Sequence, residues 1–138
     1  MEPSPQSAPG IASDTRRELD APFDEVVERL PAALAQEGFG VLTRIDMRET
    51  LAKKLGVDFR RYIILGACNP PLAYEALQAE LEVGLMLPCN IIVYETDGGA
   101  TMVVAIDPSA TIAAGHPGLS AVAQTVRAKL ARVLTLLG

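Results

Sequence analysis

Two phrases near the middle of the chain, Ala67-Cys68-Asn69-Pro70 and Leu87-Pro88-Cys89-Asn90, each set a Cys-Asn pair beside a proline. A thiol can serve as nucleophile, redox partner or soft metal ligand, and the thiolate is the reactive form. Cys68 is expected to leave a buried strand just before a helix N-terminus. Unpaired backbone N–H groups and the helix dipole there stabilise an anion and raise the thiolate fraction. Cys89 is expected to enter the next long strand, so the thiols come together if the two strands are neighbours. A structural reading stands beside this one. Free cysteine is commonly buried as a small hydrophobe, and an adjacent Asn serves as helix cap and turn former. These residues alone leave both readings open.

Other chemistries are poorly supplied. The single histidine, His116, sits far downstream in Gly115-His116-Pro117. Zinc usually takes four N or S ligands, so two thiols and one distant imidazole predict no metal site. A Cys-His nucleophile pair has only His116 to draw on and no identifiable carboxylate to orient it. Asp46, Glu75, Glu82, Glu95 and Asp107 are scattered, with Asp46 and Asp107 read as solvated strand ends. Gly98-Gly99 is turn chemistry, with no P-loop pattern around it. Lys53-Lys54 and Arg60-Arg61 form a basic cluster. It is either a solvated face or the complement of an anionic ligand at a mouth beside Cys68.

The elements that must position these residues follow from periodicity and breakers. Residues 1–13 carry Pro3, Pro5, Pro9, Gly10 and three serines, and read as a disordered tail. Residues 14–138 are expected to form one domain. A short strand is predicted over 15–19. A helix follows, with Asp20 or Ala21 near the cap and Pro22 in the first turn. Phe23, Val26, Val27, Leu30 and Leu34 give its apolar stripe. Pro31 should kink or divide it, and Gly38 ends it. The stretch 40–46 alternates as a strand with Val41, Thr43 and Ile45 on one face. Residues 48–55 read as a short helix closed by Gly56. The strand 62–65 is apolar on both faces and so belongs inside a sheet. A helix over 71–79 follows, capped by Asn69. Strands at 91–95 and 101–106 flank Asp97-Gly98-Gly99-Ala100, a hairpin signal. Residues 110–118 read as a loop or short turn. The last helix, 119–137, carries Leu119, Val122, Val126, Leu130, Val133 and Leu137 as its stripe. This order predicts an α+β fold, a two-layer sandwich with a mostly antiparallel sheet backed by helices.

Composition narrows the function classes. At 138 residues the chain can bury enough surface to fold without a disulfide or metal staple. Twelve basic residues against seventeen acidic give a net charge of −5, which argues against a nucleic-acid partner. The longest apolar run, 83–94, is too short to span a bilayer and contains Pro88 and Asn90, so no membrane partner is expected. The first fourteen residues lack the apolar core of a secretory signal, and two cysteines make no disulfide framework. A cytoplasmic location with reduced thiols is the expectation.

Several motifs in order resemble the domain of unknown function 302 family. They are Arg44-Ile45-Asp46, the run Leu51 to Phe59, Tyr62-Ile63-Ile64-Leu65-Gly66-Ala67-Cys68-Asn69-Pro70, Ala73 to Leu77, Gly84 to Asn90, and Ile106-Asp107-Pro108. The likeness spans roughly 23–108, with Pro31 as the departure. It implies a compact α+β domain and a homodimer, and it implies no activity. The family signature falls on Lys54, Gly66, Cys68, Asn69, Pro70, Pro88, Cys89 and Asn90, which become the candidate ligand-binding residues. They equally suit a folding signature of caps and turns. Three functions compete: a module binding a small molecule, metal or sulfur species near the Cys-Asn motifs; a thiol-dependent redox or sulfur-transfer enzyme; and a structural or interaction dimer in which the last helix packs on a partner. The binding module leads and the enzyme comes last. Neither a catalytic residue nor a cofactor is identified.

Overall fold

The structure, a computed structural model, describes residues 13–138. The expected tail thus lies outside the described residues apart from Ser13. A five-stranded antiparallel sheet has the order β1-β5-β4-β3-β2. Its strands are β1 (Arg16–Leu19), β2 (Gly40–Asp46), β3 (Tyr62–Cys68), β4 (Cys89–Glu95) and β5 (Thr101–Ala105). The helices are α1 (Phe23–Gln36), α2 (Met47–Leu55), α3 (Pro70–Ala79), a single turn α4 (Pro108–Thr111) and α5 (Ser120–Leu136). A 3₁₀ segment, Leu81–Met86, carries the chain from α3 towards β4. The α+β class and the antiparallel sheet are as the sequence predicts.

Alternation along the inner strands builds the core. Ile63, Leu65 and Ala67 of β3, Cys89, Ile91 and Val93 of β4, and Val103 and Ala105 of β5 are all buried. They meet Phe23, Val26, Val27, Leu30, Ala33 and Leu34 of α1 and Val122, Val126, Leu130, Val133 and Leu134 of α5. Each fully buried Leu, Val or Ile contributes roughly 1.5–3 kcal/mol. The α5 stripe is therefore spent on the chain's own core, not left open for a partner.

Local chemistry sets the ends. Asp46 caps α2 by accepting from Glu49 N at 3.0 Å, and Gly56 closes it at φ +66°. Asn69 caps α3 through Leu72 N. The hairpin between β4 and β5 closes with Thr96 N donating to Ala100 O at 2.9 Å.

Three expectations need correction. α1 runs undivided through Pro31. Pro31 lies on the solvent face of the helix, so its ring stays clear of the packed core. Pro22 is the N-cap of α1 rather than a first-turn residue, because its extended backbone (ψ 147°) has not yet entered the helix. Finally, Val41 does not share a face with Thr43 and Ile45. A bulge shifts the β2–β3 register, so Val41 pairs with Ala67 while Thr43 pairs with Gly66. One extra residue in the bulged strand breaks the period-two alternation. β2 is an edge strand, exposed almost throughout.

Candidate functional site

The pairing of β3 with β4 brings the two Cys-Asn phrases side by side. Ala67 lies opposite Cys89 and Gly66 opposite Asn90. Cys68, half-buried, is the last residue of β3 and pairs with Gly40 on the other side. Cys89 opens β4 and is buried. Both thiols line one pocket, closed by Asn69 and Leu72 of the α3 start, Phe39, Ile112 and the Val122/Val126 face of α5. The pocket is apolar and tight. Its volume of about 20 Å³ suffices for roughly one water molecule.

Burial dominates the electrostatics. Removal from water pushes the Cys89 thiol up to about 11, and the neighbouring charge on Cys68 adds in the same direction. Cys89 is thus a neutral thiol near pH 7, a weak nucleophile and a poor metal ligand in that form.

The remaining candidate residues divide by what they touch. Asn69 is committed twice: Oδ1 accepts from Leu72 N at 3.4 Å, and Nδ2 donates to Glu37 O at 3.1 Å, tying α3 to the end of α1. Pro70 occupies the first turn of α3, where its missing N–H costs nothing. Gly66 and Pro88 pack face to face: a Cβ on Gly66 would come within 2.6 Å of Pro88 Cγ. The Leu87–Pro88 peptide is cis. Asn90 is exposed on β4. Lys54 lies exposed in the last turn of α2 and is not among the residues lining the pocket. Gly66, Cys68, Asn69, Pro70, Pro88, Cys89 and Asn90 therefore share one end of the β3–β4 pair, and Lys54 does not join them.

Sequence reasoning missed much of the pocket wall. Phe39 and Ile112 carry no local signal, because each arrives from a connecting segment. Val122 and Val126 were legible only as core. His116 turns to Glu80, Nε2 to Oε1 3.6 Å, and does not line the pocket. Among the described residues no group of three or more His, Cys, Asp or Glu side chains could hold a metal. Nor is any described helix long and apolar enough to cross a membrane. The basic cluster does not flank Cys68. Arg61 sits immediately before β3 and bonds Asp24, Arg60 pairs with Asp97 at 2.8 Å, and Lys53 with Glu49 at 2.6 Å. The length of β3, seven residues or about 20 Å, separates Arg61 from the thiols.

Comparison with known proteins agrees with this architecture. The family model "Domain of unknown function DUF302" matches residues 15–137. The crystal structure of an uncharacterized conserved protein DUF302 from Bacillus stearothermophilus is similar, with 34% sequence identity and a TM-score of 0.80. The match covers 87% of this chain and 94% of that one. No curated protein matches. A family model over nearly all of the described residues, together with a solved relative of the same fold, shows that this chain belongs to the DUF302 family.

Proposed function

We propose that this DUF302 domain is a small-molecule binding module whose ligand occupies the Cys68/Cys89 pocket. One observation carries the reading: two thiols, from the end of one strand and the start of its neighbour, line a single apolar pocket. The apolar wall and the protonated Cys89 favour a small uncharged ligand over an ion. The absence of a third ligating side chain among the described residues weighs in the same direction. Two unpaired thiols suit the reducing cytoplasm that we propose as its location.

Hydrogen sulfide, kept mostly uncharged by working below neutral pH, is a sulfur-bearing probe close to water in size and tests this. Methyl NMR spectra should show saturable shifts at Leu72, Ile112, Val122 and Val126. Replacing both cysteines with Ala should remove them while the fold persists. Alanine is the better choice because a serine hydroxyl at Cys89 would be stranded in an apolar wall. Undiminished binding in the double variant would sink the reading.

The placement of both cysteines along one pocket supports a second reading, a dithiol redox site. Cys68 thiolate would attack glutathione disulfide and release one glutathione. Attack by Cys89 on the mixed disulfide would release the second, with both thiol protons ending on glutathione. Mass spectrometry after glutathione disulfide treatment should then show loss of two hydrogens, whereas a persistent glutathione adduct would count against it. A homodimer also remains a proposal. Val41, Leu42, Ile45, Leu55, Val57 and Phe59 are exposed along β2, α2 and the following loop, a surface suited to a second copy. Sedimentation at micromolar concentration tests it.

A further inference from the structure

Half of the chain's twelve basic residues lie between positions 44 and 61: Arg44, Arg48, Lys53, Lys54, Arg60 and Arg61. Only Asp46, Glu49 and Asp58 oppose them there, so this stretch carries +3. The remainder holds six basic and fourteen acidic residues, or −8. Three of the arginines converge on a cleft of about 210 Å³ at the N-terminal end of β3. Arg44 enters from β2, Arg48 from the first turn of α2, and Arg61 from the residue preceding β3. Phe23 supplies an apolar floor, with the Arg61 guanidinium 4.8 Å from its ring centre. The Tyr62 ring completes the wall.

The cleft's carboxylates are already engaged. Asp24 accepts from Arg61, and Asp46 accepts from Glu49 N as the α2 cap. Arg44 has no hydrogen bond or ion pair among the described residues, and Arg48 has only a 3.7 Å approach to the exposed Asp58. The first turns of α1 and α2 both border the cleft, adding the positive ends of two helix dipoles. The α1 N-cap, Pro22, makes no side-chain cap hydrogen bond, so the first α1 N–H groups lack a capping side chain.

We propose that this cleft binds the phosphate group of a small phosphorylated molecule. The inference is independent of the thiol pocket at the other end of β3. Guanidinium groups match oxyanions through directed pairs of N–H donors. A planar carboxylate is satisfied by one such fork. Three guanidiniums from separate elements suit a tetrahedral dianion that accepts from several directions.

The test is an amide NMR titration of the full chain with inorganic phosphate, with citrate as the carboxylate comparison, both at constant ionic strength. Phosphate should give saturable shifts at residues 23–24, 44–48 and 61–63. Arg44→Gln should weaken binding about tenfold or more, the loss expected for one charge-assisted hydrogen bond. Arg44 is exposed on an edge strand, so the variant should fold. The Lys53→Gln/Lys54→Gln double variant should bind phosphate as the parent does. Shifts that never saturate would overturn the proposal. An equal loss in the lysine variant would also overturn it, because the attraction would then be diffuse surface charge. A parental affinity in Arg44→Gln would overturn it too, leaving Arg44 only as a guard against edge-strand pairing. Tighter binding of citrate than of phosphate would overturn the phosphate assignment.

Discussion

The two ends of β3 present opposite solutions to the same problem of exposing polar chemistry on a small domain. At the C-terminal end, Cys68 and Cys89 share a tight apolar pocket, and burial keeps Cys89 protonated. At the N-terminal end, an open cleft ten times larger gathers Arg44, Arg48 and Arg61 in contact with water. The first end rests on packing: Gly66, Pro88 and Asn69 hold backbone and caps together. The second rests on charge: Arg61 meets Asp24, Glu95 at 3.8 Å and the Phe23 ring. One strand thus separates a site governed by volume from one governed by electrostatics. A change of one methyl should therefore dominate at the thiol end, and a change of pH or salt at the arginine end.

The largest effect should come from that methyl. In Gly66→Ala the new Cβ would overlap Thr43 Oγ1 and crowd the rigid ring of Pro88. Overpacking of this kind typically costs 1–3 kcal/mol, and with two stiff neighbours about 2–3 kcal/mol is expected. Urea denaturation should show the midpoint falling. An unchanged midpoint would mean that the thiol end is not packing-limited, and the contrast would fail.

The Cys89 thiol gives the next effect, through pH. Its pKa in the folded protein lies near 11, above the ordinary value of 9.0. The folded state therefore binds the proton more tightly than the unfolded chain. That stability is fully present below pH 9, and it is lost as pH rises through 11. At 1.36 kcal/mol per pH unit the full difference is about 2.7 kcal/mol, of which roughly 2 kcal/mol is lost by pH 11. Denaturation between pH 8 and 11 should show a steeper fall for the parent than for Cys89→Ala. Cys68→Ala should keep most of the slope, because burial is the larger cause. Equal slopes in all three would mean that Cys89 is wetter than its pocket implies.

What the sequence made legible follows the same division. Periodicity found α1 and α5, and local chemistry found the Asn69 cap and the β4–β5 turn, because each is specified within a few residues. The adjacency of Cys68 and Cys89 needed only the guess that two apolar strands are neighbours. The β2 bulge did not show, since it is a property of the pairing between β2 and β3 and not of either stretch of sequence alone. Pro31 misled because its cost depends on which face of α1 it occupies. The arginine cleft was also out of reach. Arg61 and Asp24 stand 37 positions apart, and Arg44 joins them only because β2 folds back antiparallel on β3. The basic cluster was visible, but its place relative to the thiols was a tertiary fact.

The smallest effect on stability belongs to Asp24, and it is the one that separates the two ends most cleanly. The hydrogen bond from Arg61 holds this carboxyl below its ordinary value of 3.8; direct charge attraction acts the same way, and slight burial opposes. A carboxylate with a lowered folded pKa stabilises the protein above its unfolded value. That contribution is lost as pH falls through the folded pKa. Melting temperatures of the parent and Asp24→Asn should therefore differ slightly at neutral pH and converge below pH 3.8. Because the pair is exposed, added salt should shrink the difference as well. Phosphate binding should move the other way. Removing the Asp24 charge frees Arg61 and leaves the cleft more positive, so Asp24→Asn should bind phosphate more tightly while being marginally less stable. Cys89→Ala should leave phosphate affinity unchanged. If Asp24→Asn weakened phosphate binding instead, Arg61 would need its carboxylate partner to be positioned, and the cleft would be governed by geometry as strictly as the thiol pocket.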